Sequence, residues 1–312
     1  MSEAKTIPRD PSWLAHRYVE SKDAILFRRV SRDQHRAATF VTDEYLPQDP
    51  QLAEIDRRVA LAAAAPAPAG AVHFIFHSAF CCSTLLARAF DRGGLAMALK
   101  EPAILNDITG WRRRGASGRD VAEVMDGALA LLARPFAPGE AVVIKPSNIV
   151  NGLIPMMMAL RPDAKALLLH APLPLFLTSV AKKGLDGRLW VRELFMGLRT
   201  DGLVQRLGFD DAQFFGQTDL QIAAAGWLAQ QALFADLART LGPRVRTLDS
   251  ETLLGAPEAS VAALARLYGL EVDEAMVGEI VAGSFGRNSK SGEAFGRAER
   301  EAEYAGAAAA HR

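Results

Sequence analysis

The sequence predicts a three-layer α/β sandwich around a central parallel sheet, with a helical C-terminal part. Two observations carry that expectation. After residue 71, uninterrupted apolar runs of strand length alternate with longer helical patterns, and uninterrupted runs suit strands covered on both faces. Repeated strand–helix alternation in turn implies parallel strands joined by right-handed crossovers. The composition supplies the core such a sandwich needs: of 312 residues, 50% are hydrophobic and 23% charged. A chain of this length buries roughly 75% of its unfolded surface.

Taken in order, residues 1–70 read as an N-terminal appendage and residues 71–312 as the α/β domain. In the appendage the pattern predicts a short helix around Trp13–Val19. Two strand-like stretches follow, Ile25–Val30 and Ala37–Thr42, separated by the polar Ser31–Arg36 in a hairpin with a loop. A helical pattern over Leu52–Ala64 then runs into Ala65-Pro-Ala-Pro-Ala-Gly70, which no regular element crosses. In the domain, strands are predicted at Val72–Phe76, Leu95–Leu99, Ala141–Ile144, Ala164–Leu169 and Val245–Leu248. Helices are predicted at Ser83–Asp91, Val121–Leu132, Gly152–Leu160, Leu173–Lys183, Leu220–Leu241, Pro257–Tyr268 and Ala275–Val281, the sixth opened by its proline and stopped by Gly269.

Thirty-six basic residues balance thirty-six acidic ones. A zero net charge argues against bulk electrostatic binding of nucleic acid or of an acidic membrane, while leaving room for a local basic pocket. The N-terminal stretch lacks the apolar core of a signal peptide, and no segment offers a membrane-length apolar run, so the expectation is a soluble, cytoplasmic protein. The two cysteines, Cys81 and Cys82, are neighbours. Adjacent residues do not easily reach ordinary disulfide geometry, and two cysteines make no cysteine-rich zinc site. No histidine pair has metal-ligand spacing, so no metal is expected.

The most informative stretch is Val72–Phe90, a buried strand, a turn of small residues, and a helix opened by Ser83 and Thr84. Unpaired N–H groups at a helix start, together with the positive end of its dipole, make an anion site. The same Ser83 also reads as an ordinary helix cap. The phosphate-binding pattern GxxxxGK[ST] is absent and the turn holds no lysine, which disfavours an ATP- or GTP-hydrolysing enzyme. Lys100 ends a predicted strand and can either neutralise a transferred group or solvate the sheet edge. His77 ends the first strand and reads as a general base or as a hydrogen-bonded core residue. Cys81 and Cys82 precede a helix start that can lower a thiol pKa; filling a tight turn is the simpler reading. The basic run Arg112–Arg114 is either a receiving surface for an acidic substrate or a solvated face.

Ala79-Phe-Cys-Cys-Ser-Thr84 resembles the 5′-phosphosulfate loop of the sulfotransferases that use 3′-phosphoadenosine 5′-phosphosulfate, where the family commonly has Pro-Lys/Arg-Ser-Gly-Thr-Thr. Cys81 and Cys82 stand at the Ser-Gly positions, Ser83 and Thr84 at the paired threonines, and Phe80 at the basic residue. Ala141–Asn148 resembles the family's V-K-T-H strand, with Lys145 at the lysine and Ser147 at the histidine. Ala164–Ser179 resembles its 3′-phosphate motif, with His170 at the arginine, Thr178 at the serine and Ser179 one residue beyond. Arg246–Glu274 is similar to the family's strand, turn and proline-started helix, and Gly286–Gly292 offers Arg287 and Lys290 where the family places basic contacts to the 3′-phosphate. The resemblance covers residues 71–292.

It implies the fold of P-loop nucleotide hydrolases and a phosphoadenosine co-substrate held by Cys81, Cys82, Ser83, Thr84, His170, Thr178, Ser179, Arg287 and Lys290. It implies sulfuryl transfer to a hydroxyl or amine acceptor, with Lys145 stabilising charge; for the base, the candidates are His77 and Lys100, read from their places at strand ends. The alternatives are a nucleotide- or anion-binding protein on the same fold without transfer chemistry and, third, a kinase-like phosphotransferase. Neither the acceptor nor the oligomeric state is legible.

Overall fold

The structure, a computed structural model, describes residues 3–285. Two sheets organise it. The first is antiparallel, β1 (Trp13–Val19), β2 (Ala24–Arg29) and β3 (Leu52–Asp56), in that spatial order. The second has five parallel strands: β4 (Val72–His77), β5 (Ala96–Lys100), β6 (Ala141–Lys145), β7 (Ala166–His170) and β8 (Val245–Asp249), ordered β5-β6-β4-β7-β8. The predicted strands thus form one parallel sheet.

Alternate residues of each strand serve two separate cores, which is why the strands read as unbroken apolar runs. Phe74, Phe76, Met97, Leu99, Val142, Ile144 and Leu168 face the helices Ala103–Arg113, Gly118–Leu132 and Asp219–Leu241. Ile75, Ala98, Val143, Leu167 and Leu169 face the helices Ser83–Phe90, Pro257–Tyr268 and Glu274–Ser284. Three layers result, with much of the C-terminal part helical as predicted. Gly269, with φ at +68°, ends the helix Pro257–Tyr268 in the left-handed conformation that glycine adopts most easily.

The N-terminal predictions need correction. Trp13–Val19 is a strand: its register with β2 shifts between Ala15 and Arg17, so Leu14, Ala15 and His16 are all buried and the alternation is broken. Leu52–Ala64 is a strand followed by the helix Arg57–Ala64, divided at Asp56, which accepts a hydrogen bond from Val59 N. The polar Ser31–Arg36 is no loop, because Ser31 and Gln34 form a reciprocal capping box that opens the helix Arg32–Ala37. The hairpin partner of β2 is accordingly β1, and residues 38–46 lie outside both sheets. The helices Ala103–Arg113 and Gly184–Thr200 are additions to the expected set.

One apolar cluster runs from Ile7, Tyr18, Phe27 and Ile55 through to Phe74, Val142 and Leu168, so the small sheet and the large one share a core. Among the described residues no helix is long and apolar enough to cross a membrane, and no His, Cys, Asp and Glu cluster could hold a metal ion.

Candidate functional site

Each of the five parallel strands ends on an ionisable side chain: Lys100, Lys145, His77, His170 and Asp249, in spatial order. Register aligns Lys100 with Lys145, and His170 with Asp249. From β4 the chain first crosses to the β5–β6 side, and β7 later returns to the other side. The loop after β4 therefore leaves the sheet at its switch point, where open α/β sheets bind ligands.

That loop has an unusual backbone. Ala79, Phe80 and Cys82 have φ of 72°, 51° and 64°, all left-handed and none of them glycine. Such residues cost about 1–3 kcal/mol each and persist only where their surroundings hold them. Turns that mix the two hands bring successive N–H groups to one side and make anion-binding concavities. The helix Ser83–Phe90 starts directly afterwards, with Ser83 and Thr84 both buried at its first turn. The Ser78 hydroxyl is buried without a hydrogen-bond partner among the described residues.

His77 is held from both sides. Its Nδ1 accepts from Ala79 N at 3.0 Å, so the proton sits on Nε2, which donates to Pro146 O at 3.0 Å. Both nitrogens are spent on fixing the loop, which leaves the ring no idle lone pair with which to take a proton. Under it, Asn151 Nδ2 donates to His77 O and to Gln230 Oε1, and Asn148 Nδ2 also donates to Gln230. All three side chains are buried. Cys81 is buried too, its thiol directed at Leu169 O. Burial pushes that thiol up to about 12, with the Cys82 thiol acting the same way and Lys145 and the Ser83 hydroxyl opposing. Cys81 is thus a neutral turn residue, and no reactive thiolate forms there at neutral pH. Phe80, at the position of the family's basic residue, packs against Phe176 and Trp190 at 5.7 and 5.4 Å.

The two strand-end lysines differ. Lys100 is fully buried, and its Nζ donates to His35 O at 2.8 Å and Arg36 O at 3.0 Å, the last turn of a helix of the N-terminal part. Lys145 Nζ is in close contact with Glu101 Oε1 and lies 5.0 Å from the centre of the Phe40 ring. Glu101 follows β5 with a left-handed φ of 54°, and its N–H donates to Lys145 O at 2.7 Å. Its Oε1 lies 3.9 Å from His77 Nε2. The Glu101 side chain keeps 18% exposure against 1% for Lys145, so the carboxylate is the member of the pair that solvent reaches. Tyr45 stacks edge-on to Phe40, and burial raises its hydroxyl, with the Glu44 and then the Glu101 charge adding to it.

The remaining positions are spread more widely. His170 is half-buried, its Nδ1 has no partner among the described residues, and burial lowers its pKa against the opposing charge of Asp249. Thr178 and Ser179 lie in the interior of the helix Leu173–Lys182, where their hydroxyls donate to Pro174 O and Leu175 O, four residues back. Arg112 and Arg113 both bind the buried Asp201, and Arg114 binds Glu20. Arg287 and Lys290 lie outside the described residues.

The structure therefore gathers His77, Cys81, Lys145 and the Ser83–Thr84 turn, ties Lys100 to the N-terminal part, and sets Thr178 and Ser179 on their own helix backbone. Glu101, Phe40, Asn148, Asn151 and Gln230 are absent from the sequence-derived set. Glu101 alone had a signal, its place directly after a strand-end lysine.

No family model matches the chain, and no curated protein matches it in sequence. The solved structures to which it is similar include two sulfotransferase domains. One, from the curacin biosynthetic pathway, shares 14% identity over 67% of this chain and 77% of that one, with a TM-score of 0.41. The other, from the Synechococcus PCC 7002 olefin synthase, shares 16% identity over 67% and 76%, with a TM-score of 0.38.

Proposed function

We propose that this protein transfers a sulfuryl group from 3′-phosphoadenosine 5′-phosphosulfate to a hydroxyl or amine acceptor. The observation that carries the reading is the Lys145–Glu101 pair at two strand ends, beside a left-handed loop that opens a helix. The sequence motifs of the phosphosulfate loop and the lysine strand fall on those same elements.

The chemistry follows from the residues. Amides of the loop and the positive helix end stabilise charge on the leaving phosphate. Lys145 neutralises the sulfuryl oxygens. The Glu101 carboxylate takes the acceptor's proton as the new bond to sulfur forms and the bond from sulfur to the phosphate oxygen breaks. Glu101 suits that role better than His77, whose two nitrogens are engaged, or Lys100, which serves as a tether. The donor fits in part: Ser78, Ser83 and Thr84 supply hydroxyls, and His170 is a weaker phosphate partner than an arginine.

Calorimetric titration with adenosine 3′,5′-bisphosphate, ATP and ADP tests the donor site. Selective binding of the bisphosphate, weakened by Ser83→Ala with Thr84→Ala, is expected; no binding near millimolar would sink the proposal. Glu101→Gln should keep that binding and lose about 10²-fold or more in transfer rate. Binding without transfer to a broad acceptor panel is the outcome of a nucleotide-binding protein. That second reading is favoured by Phe80 and Ser147 in place of the basic residue and the histidine.

A further inference from the structure

In the proposed reaction Lys145 meets the transferred group, yet its side chain is 1% exposed. Two groups close it off. Glu101 Oε1 is in close contact with Nζ, and the ring centre of Phe40 lies 5.0 Å from the same atom. An ammonium has three N–H groups, so contact with one carboxylate oxygen leaves capacity for another anion. To use that capacity, the anion must first displace a cover.

The two covers are not equally movable. Glu101 is the counter-charge of a buried cation, which its departure would leave uncompensated. The Phe40 ring offers a cation–π contact, and a charge-assisted hydrogen bond to the same amine outweighs it. The backbone around Phe40 is pinned. Val41 N donates to Lys100 O at 2.7 Å, and Val41 and Leu46 are buried. Asp43 accepts from Arg17 Nη1 and Arg28 Nη1, both at 2.8 Å, and lies 2.7 Å from His16 Nε2. The ring itself is only half-buried, and Tyr45, edge-on to it at 5.1 Å, stands 42% exposed. Rotation about the Phe40 side-chain bonds can therefore uncover the amine while the segment stays in place. We infer that Phe40 is a gate over Lys145, turned aside by the sulfuryl group of the donor and closed again when that group leaves. The gate, which rests on the sulfuryl-transfer reading, regulates that same site: until the donor arrives, Lys145 is shielded from water and from other anions.

Calorimetry with the full chain compares 3′-phosphoadenosine 5′-phosphosulfate with adenosine 3′,5′-bisphosphate, which differ by the sulfuryl group alone. A ring closed about nine-tenths of the time predicts that Phe40→Ala tightens the phosphosulfate about tenfold and leaves the bisphosphate within about twofold. Removing a side chain that merely packs would weaken both. Acetylation by acetic anhydride, read lysine by lysine by mass spectrometry, needs no nucleotide. Phe40→Ala should speed Lys145 about tenfold and leave the buried Lys100 slow. Tyr45→Ala, which removes the ring's exposed neighbour, should act in the same direction by about threefold, and it decides the matter if Phe40→Ala exposes Lys100 as well. Failure of either nucleotide to bind the wild type or the variants would overturn the sulfuryl-transfer reading and the gate with it. Binding of both, with the phosphosulfate unchanged or weakened by Phe40→Ala, or Lys145 no faster to acetylate, would overturn the gate alone.

Discussion

Two neighbouring strands end on lysines, and the partners of each decide what it does. Lys145 has a carboxylate. Among the described residues, removing that partner leaves a cation 1% exposed beside the Phe40 ring. Glu101→Gln should therefore cost roughly 3 kcal/mol, the lower part of the range for broken buried pairs because Glu101 keeps some solvent. Adding Lys145→Met should recover part of that loss, and the coupling is read from a double-mutant cycle in urea. The Lys100 amine donates to two carbonyls, and burial, opposed by Asp91, lowers its pKa from 10.5 to about 8. A neutral amine still has the two N–H groups that His35 O and Arg36 O accept. Between pH 8 and 10.5 the folded lysine has released its proton while the unfolded one still holds it. The unfolded state binds more protons, so this group adds stability as pH rises through that window. Relative to Lys100→Met, the wild type should gain on the order of 2 kcal/mol from pH 8 to pH 10, measured by denaturant titration. A pH-independent difference would count against the lowered pKa.

At the scale of elements, legibility followed the number of faces an element buries. β4 to β7 are covered on both sides, so their apolar runs mark them directly. β1 was illegible because its bulge stacks Leu14, Ala15 and His16 in a burial pattern no simple period describes. At the site, Lys145 and the Ser83–Thr84 turn were readable from local pattern. Glu101 became visible only when register placed β5 and β6 side by side, and Phe40 only when the segment after the helix Arg32–Ala37 crossed both strand ends. The loop after β4 also hides its strain, since its left-handed positions carry Ala, Phe and Cys in place of glycine. Ala79→Gly should relieve part of it and stabilise the protein by about 0.5–1 kcal/mol, since the usual entropic penalty of glycine is smaller than the φ penalty removed. Thermal unfolding reads this directly, and a destabilised variant would show that the alanine methyl, nearly buried, contributes more by packing.

Taken whole, the molecule is stitched across its two sheets, and its response to acid should report that. Val41 N donates to Lys100 O at 2.7 Å, Arg88 Nη2 reaches Ala37 O at 3.2 Å, and the Arg134 guanidinium donates to Pro8 O, Trp13 O and other carbonyls of the N-terminal part. Each of the two parts carries a buried histidine. His35, in the helix Arg32–Ala37, is pushed down to about 3 by burial, with Lys100 and Arg32 adding to it. His73, stacked on Tyr268 in β4, is pushed down to about 4 by burial, with Lys165 adding to it. Both are neutral when folded and take up protons near pH 6.5 when unfolded, so their contribution is complete above that pH. It falls as pH drops toward 4, because the unfolded state binds the extra protons. Together they should remove on the order of 5 kcal/mol by pH 4, a large part of the stability of an ordinary domain. If the shared core makes the two sheets one cooperative unit, tryptophan fluorescence and far-ultraviolet circular dichroism will trace one coincident acid transition. His35→Phe should move that whole transition to lower pH for both signals. Two separated transitions, or a shift confined to one signal, would mean that the sheets unfold independently despite their common core.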